Sequence, residues 1–367
     1  MADETGRIIG IDLAKRSYVA KLIDQATGEE RAWQGKTDQR GIKALLGKLR
    51  PSDRIGIECC ALAMKLARII IRAVGAEVLL LNAGQLRIIY QSIKKTDLVD
   101  AEKIARLLLR FPASELPIVR PPSPAEEYQR ALVSELRFKR RIRTSLINRL
   151  HSLFVREAIV TLTRKHLYNQ KNRGESLASL SDYTLLEAQR LCREIDMLET
   201  AIADVNASIQ QEQAGSEQAK LLLSIPGVGP VTAMTFMAYV GDGSRFVNGR
   251  QVSNYAGMTP RVDSSGETTK LGSISKRGCS AIRAVVVQAA WAVVKMRGPN
   301  PLKEKFQALA ARRGKGRAIV AIARRILELM WAVSVRKECY RHTTPEAWRL
   351  KMLRLRMLNV IQAESVA

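Results

Sequence analysis

Acidic residues are few in this strongly basic chain, and four of them fall where chemistry could be done. Asp12 ends the apolar run Ile8-Ile9-Gly10-Ile11, and Glu58 ends a matching run, Ile55-Gly56-Ile57. Asp97 and Asp100, within Lys95-Thr96-Asp97-Leu98-Val99-Asp100-Ala101, are three apart and so share one helical face. A carboxylate at the lip of an apolar strand is costly unless a cation stands beside it. Four acids able to converge on one point predict a divalent-metal site. A second cluster joins hydroxyls to cations: Arg261-Val262-Asp263-Ser264-Ser265-Gly266, then Lys270 and Ser275-Lys276-Arg277-Gly278. A serine approached by Arg261, Lys270, Lys276 and Arg277 is placed to meet a phosphodiester, the cations binding its charge. The plainer readings are a strand that happens to end in an acid, a capped helix start, and a Ser/Gly turn in a DNA-binding loop.

Elements must hold these residues in place. From residue 7 to 110 the pattern alternates strand and helix. Strands are predicted up to Asp12, over Ser17–Asp24 and Arg31–Lys36 (joined by the turn Ala26-Thr27-Gly28), up to Glu58, and over Glu77–Leu81. Helices are predicted from Asp38, with Ile42, Leu45, Leu46 and Leu49 on one stripe, from Ala61 to Ala73 before Gly75, and from Asp97 to Arg110. Three strands, then helix, strand, helix, strand, helix is the element order of the ribonuclease-H-like fold.

Phe111 to Pro124, with five prolines, is the best domain boundary. Beyond it the chain turns helical, with one apolar seam at Leu132, Leu136, Leu146, Leu150 and Leu153 and a cleaner one at Leu191, Ile195, Leu198, Ile202, Val205 and Ile209. The two seams suggest an antiparallel hairpin or a dimerising coiled coil, with Lys165 to Ser181 as a polar loop between them. Arg137, Lys139, Arg140, Arg141, Arg143 and Arg149 form a run without an acid, a solvated face or, as we read it, a phosphate-contacting one. Ile225-Pro226-Gly227-Val228-Gly229, followed by Thr232 and Ala233, has the spacing of a helix-hairpin-helix turn whose amides could face a phosphate at Gly227 and Gly229. Ile282–Val294 and Ala318–Val335 are apolar helices, and Pro345–Val360 is an amphipathic basic one.

With 367 residues, 46% of them hydrophobic, the chain can build two or three domains. Sixty Lys and Arg against 35 Asp and Glu, net +25, call for a polyanionic partner, most plausibly nucleic acid. Five cysteines without CxxC spacing and only three histidines argue against zinc and for a reducing cytoplasm. No signal peptide is evident, and no apolar run approaches the ~20 residues of a membrane span.

These motifs together resemble the insertion-sequence transposases with a DEDD carboxylate set, a family understood as bridge-RNA-guided serine recombinases (the "one-ten" insertion-sequence family). The resemblance rests on G-I-D-L-A-K at 10–15, I-E at 57–58, K-T-D-x-x-D-A at 95–101, I-P-G-V-G-P at 225–230, Y-A-G-M-T-P at 255–260, S-S-G at 264–266 and S-K-R-G at 275–278. It implies a RuvC-like nuclease domain over 1–112, a proline-rich linker over 113–124, a coiled-coil oligomerisation segment over 125–215, a serine-bearing, mostly helical transposase domain over 216–345, and a basic tail over 346–367. It implies Mg²⁺ (or Mn²⁺) on Asp12, Glu58, Asp97 and Asp100, with Ser265 as nucleophile and Ser264 as the neighbouring register. Its partners would be donor and target DNA, a guide (bridge) RNA and further copies of the chain, as a dimer or tetramer with composite sites, in the cytoplasm at the nucleoid. One departure stands out. The family follows its glutamate with small residues and glycine, whereas Cys59 and Cys60 follow Glu58 here. The rival readings are a metal-dependent Holliday-junction-type endonuclease and a non-catalytic nucleic-acid-binding derivative.

Overall fold

Ile9 and Ile11 of strand β1 (Arg7–Leu13) face one side of a sheet, and Ile8 and Gly10 face the other. In the computed structural model, which describes residues 6–82, 84, 97–265, 268–353 and 355, the chain forms two units, Met1–Pro121 and Pro122–Ala367. For residues 97, 262–265 and 268–271 only the backbone is described. In the first unit β1 pairs antiparallel with β2 (Ser17–Asp24), and β2 with β3 (Glu30–Lys36). On its other side β1 pairs in parallel with β4 (Arg54–Glu58), and β4 with β5 (Glu77–Leu81), giving the order β3-β2-β1-β4-β5. This is the expected strand succession of the mixed α/β domain.

One face of the sheet is covered by α1 (Gln39–Leu46), capped by the Asp38 side chain, and by α2 (Ala61–Val74), capped by Cys60 and ended by Gly75. Ile9, Ile11, Ile55 and Ile57 pack there against Leu45, Leu66 and Ile70. The opposite face carries α3 (Asp97–Arg110), with Ile8, Leu79 and Leu81 against Ile104, Leu107 and Leu108. Two glycines set how close α3 comes. A Cβ on Gly10 would overlap the Ala101 carbonyl oxygen and lie 2.5 Å from the Ala105 nitrogen. A Cβ on Gly56 would press on Leu108 and lie 2.8 Å from Ile104 Cγ2. The proline-rich stretch is not a free linker throughout: Val119 N–H donates to the Leu80 carbonyl and Asn82 N–H to that of Pro117, so it covers the outer edge of β5.

The second unit begins with two 33-residue helices, α4 (Pro124–Arg156), opened by a Ser123–Glu126 capping box, and α7 (Asp182–Ala214). They run antiparallel: Leu132 and Leu136 meet Ile202, Val205 and Ile209, while Leu150 and Leu153 meet Leu191 and Ile195. The two apolar seams therefore close on each other within the chain, the hairpin alternative of the sequence reading. The segment expected as a polar loop instead forms short helices α5 (Arg164–Leu167) and α6 (Gln170–Ser176). The reason is Arg173, which is fully buried, donates to the Leu167 carbonyl at 2.8 Å, and pairs with Asp196 and Glu199 of α7.

The rest is a helical core of α8 (Glu217–Leu223), α9 (Pro230–Val240), α10 (Gly249–Tyr255), α11 (Ser280–Lys295), α12 (Pro301–Arg313) and α13 (Lys315–Arg336), built on Phe236, Val286, Ile322, Ile326 and Met330. A hairpin of β6 (Pro260–Ser265) and β7 (Thr268–Ile274) interrupts it between α10 and α11. No helix among the described residues is long and apolar enough to cross a membrane. The close approach of α3 makes a firm expectation: Gly10→Ala lowers stability to urea by about 2–4 kcal/mol, since the helix must retreat from the sheet. An unchanged unfolding midpoint would show that α3 does not sit as closely as described.

Candidate active site and nucleic-acid interface

Parallel register brings the first two acids together. Ile11 is level with Ile57, so Asp12 and Glu58 follow side by side at the ends of adjacent strands, both half-buried. By strand alternation they lie on the face of Gly10 and Gly56, beneath α3. That helix descends toward them. Arg54 reaches the Leu108 carbonyl at 3.1 Å, Gly56 faces Ile104, and Gly10 faces Ala101, so the N-terminal turn with Asp97 and Asp100 extends toward the strand ends. Asp100 is half-buried and paired with Lys103 at 3.1 Å. The Asp97 side chain lies outside the described residues, and among the described residues no three acidic, His or Cys side chains form a metal-sized group. In donor chemistry the four acids suit a hard divalent cation, since each would offer it carboxylate oxygens.

The serine stretch is a hairpin and not the loop that its Ser and Gly content suggested. Ser264 pairs with Thr269 and Ser265 with Thr268, the β-branched threonines supplying the strand preference. The side chains of Ser264, Ser265 and Lys270 lie outside the described residues, as does Gly266. The backbone nonetheless separates what the sequence grouped. Ser265 is at the tip, while Arg261 is four residues, roughly 14 Å, down the same strand, and Lys276 and Arg277 lie farther still, beyond the pair of Pro260 with Ile274 at the foot. Lys270, opposite Asp263, is nearer the tip.

The foot is a clasp made by two of the motifs. Ser275 N–H donates to the Thr259 carbonyl at 2.8 Å, Lys276 N–H to that of Gly257 at 3.0 Å, and Cys279 N–H to that of Tyr255 at 3.1 Å. Gly257 (φ 67°) and Gly278 (φ 110°) are left-handed, and a Cβ on either would overlap the carbonyl of Arg277 or Tyr255 respectively. Arg283 closes the clasp by donating to the Ala256 carbonyl at 2.7 Å and to Gly278 at 3.2 Å. Lys276 is itself held at φ 54°, a strained conformation for a lysine, and both it and Arg277 are exposed.

The basic run on α4 is likewise sorted by the structure. Lys139 pairs with Glu135 and Arg149 with Glu187. Arg140 turns inward to Asn206, and burial together with the Arg143 charge pushes its pKa below the ordinary arginine value. Arg143 stacks over the Tyr168 ring at 5.1 Å. Arg137 and Arg141 remain exposed, without an acidic partner among the described residues. With Arg140 and Thr144 they line a groove of about 500 Å³ that reaches Val231 in the first turn of α9 and Gln288 of α11.

The turn before α9 is held by a residue that the sequence reading left on the surface. Gly227 (φ 76°) lies against α11, where a Cβ would be 2.6 Å from Val293 Cγ2, and Gly229 precedes Pro230 at the start of α9. Lys351, from the helical tail, donates to the carbonyls of Leu223 (2.7 Å), Val228 (2.9 Å) and Ile225 (3.2 Å). Burial pushes its pKa down to about 8, while the three carbonyls favour the protonated form. Its position in an amphipathic basic helix gave no signal that this lysine, unlike the exposed Arg349, points inward.

Comparison with known proteins gives these motifs a common origin. Residues 9–157 match a DEDD-type transposase model, and residues 219–307 match the model described as "Transposase IS116/IS110/IS902 family". The chain belongs to this transposase family. A "Probable family 20 transposase" of Pseudomonas aeruginosa is 28% identical over 349 residues, 91% of this chain and 98% of that protein. The transposase for insertion sequence element IS1111A of Coxiella burnetii is 33% identical over 210 residues, 54% of this chain and 56% of its own. A "Pilin gene-inverting protein" of Moraxella lacunata is 34% identical over 119 residues, 32% of this chain and 36% of its own. As an IS110-family transposase the chain acts on DNA, and its DEDD-type domain implies a divalent metal ion.

Lys351 supplies a direct check on how the turn is held. Lys351→Met takes a donor from three buried carbonyls, of which that of Ile225 keeps the Val228 N–H, and lowers the stability of the second unit by about 2–4 kcal/mol. Urea denaturation within error of wild type would show that the tail is not docked under the turn.

Proposed function

We propose that this transposase moves its element by RNA-guided strand exchange through a covalent phosphoserine intermediate at Ser265. The observation that supports it is the hairpin: Ser265 stands at the last pair before the tip, on two strands anchored by a glycine clasp, where it can reach a phosphodiester without the core moving. Its oxygen attacks phosphorus, and one P–O bond to serine forms as the bond to a deoxyribose oxygen breaks. The serine proton is given up and the leaving oxygen takes one. A strand hydroxyl then attacks the phosphoserine, reseals the DNA and returns the serine. The number of phosphoester bonds is unchanged, so no external energy source is needed. A relative named for gene inversion fits such conservative exchange.

Asp12, Glu58, Asp97 and Asp100 would hold the divalent ion, Mg²⁺ or Mn²⁺, which when bound neutralises and orients the scissile phosphate. Arg137 and Arg141, with the Gly227–Gly229 turn, would bind backbone phosphates along the α4 groove, and Arg261, Lys276 and Arg277 those at the foot of the hairpin. Lys139, Arg140 and Arg143 belong to the same interface, in our reading as supports through Glu135, Asn206 and Tyr168. Target choice would fall to base pairing with a guide RNA, in keeping with a net charge of +25 and only 5% aromatic residues.

The decisive experiment incubates the chain with Mg²⁺, its guide RNA and DNA from the ends of the element, followed by a denaturing gel. A protein–DNA adduct is expected with wild type and Ser264→Ala, and is lost with Ser265→Ala and with Asp12→Ala. Metal-dependent nicking without adduct, unchanged in both serine variants, would replace this mechanism with hydrolysis.

A further inference from the structure

The start of α10, the first turn of α12, the later turns of α13 and residues 338–342 enclose a cleft of about 800 Å³. At its floor α10 meets α13 closely, a Cβ on Gly249 falling 3.0 Å from Glu328 Cα. Five cations line it, Arg250, Lys305, Arg325, Arg336 and Arg341, against two acids, Glu328 and Glu338. Glu328 is already engaged by Arg324 at 3.1 Å and Arg325 at 3.5 Å. Arg250, Lys305, Arg336 and Arg341 are exposed and have no acidic partner among the described residues. Cations gathered on one concave wall repel each other and focus a positive potential into it, which an anion relieves.

The wall also carries an aromatic ring. Trp331 lines the cleft half-buried, and its only polar hydrogen already donates to the Gly243 carbonyl at 3.1 Å. What it offers a ligand is apolar ring surface, on which any base can stack. Phosphate-binding cations beside a stacking ring fit a nucleotide chain better than an acidic peptide, which has no flat group to place there.

We propose that this cleft binds a single-stranded nucleic-acid segment, its phosphates on Arg250, Lys305, Arg336 and Arg341 and a base against Trp331. None of these residues belongs to the site described above. The inference rests on the chain's being a nucleic-acid-binding transposase.

The test titrates the full chain with single strands of about 20 nucleotides, DNA and RNA in separate arms, reading anisotropy and tryptophan emission. Lys305→Gln/Arg336→Gln is expected to weaken binding at least about tenfold and to lower the log–log salt slope by about 1.4, or 0.7 for each lost phosphate contact. The arm that shows the loss identifies the strand type. Trp331→Phe is expected to remove the ligand-induced change in emission, with circular dichroism unchanged in both variants. Arg137→Gln/Arg141→Gln runs alongside. Weakening by that pair but not by the cleft pair overturns the cleft and leaves the interface on α4 intact. No weakening by either pair overturns the nucleic-acid reading of both surfaces. Equal binding of a poly-glutamate peptide at the cleft also overturns the proposal, reducing it to charge alone.

Discussion

Everything in the first unit depends on how closely one helix lies on one sheet. Side chains at Gly10 and Gly56 would drive α3 outward, because the atoms they would meet include backbone of the helix itself at Ala101 and Ala105. Backbone cannot swing aside as a flexible side chain can, so the spacing is set first by the missing methyl group at Gly10, while Gly56 makes room for the side chains of Leu108 and Ile104. The consequence is chemical. Asp12 and Glu58 are one step along the same strands and on the same face, so a helix held against the glycines carries its acidic N-terminal turn toward them. An alanine sheet of the same register would hold the helix farther out, with its acids displaced from the strand ends.

The second unit uses the same device for another purpose. Gly257 and Gly278 allow two separated motifs to interlock by main-chain hydrogen bonds, and Arg283 ties the carbonyls that remain. A hairpin rooted this way is fixed at its foot by main-chain hydrogen bonds. Rigidity at the foot and reach at the tip are what a group needs if it must meet a phosphodiester on a ligand much larger than the protein domain. The lysine held at φ 54° inside the clasp marks where conformational strain is stored, and it is one of the exposed cations there.

Much of this was legible in the residues because the signals were local. Period-two apolar runs ending in Asp12 and Glu58, the Asp38 cap, the Gly75 stop and the Asp97–Arg110 helix all follow from neighbours within a few positions. What failed to show was set by distant partners. The 165–181 segment reads as polar loop until Arg173 finds Asp196 and Glu199 on another helix. The Ser/Gly stretch reads as loop because its hydroxyls and glycines outnumber its strand formers, although Thr268 and Thr269 pair with both serines. Grouping Ser265 with Lys276 and Arg277 treated nearness in sequence as nearness in space, which an extended strand does not permit.

The charge of the chain needs the same separation into near and far. A net +25 suggests a surface covered in phosphate-binding groups, yet several cations are consumed internally. Arg173 is buried against two acids, Lys351 holds a turn by three carbonyls, Arg283 ties a clasp, and Arg130 donates to the Ala238 carbonyl while lying over the Tyr239 ring. A protein rich in arginine draws on it as a structural donor because its planar fork satisfies carbonyls without being lost to titration. Other cations face outward in many places, Arg72, Arg193 and Arg313 among them, and three groups stand on defined features: along α4, at the foot of the hairpin and in the cleft beside Trp331. Contacts of that kind to phosphate fix the position of a polyanion without reading its sequence.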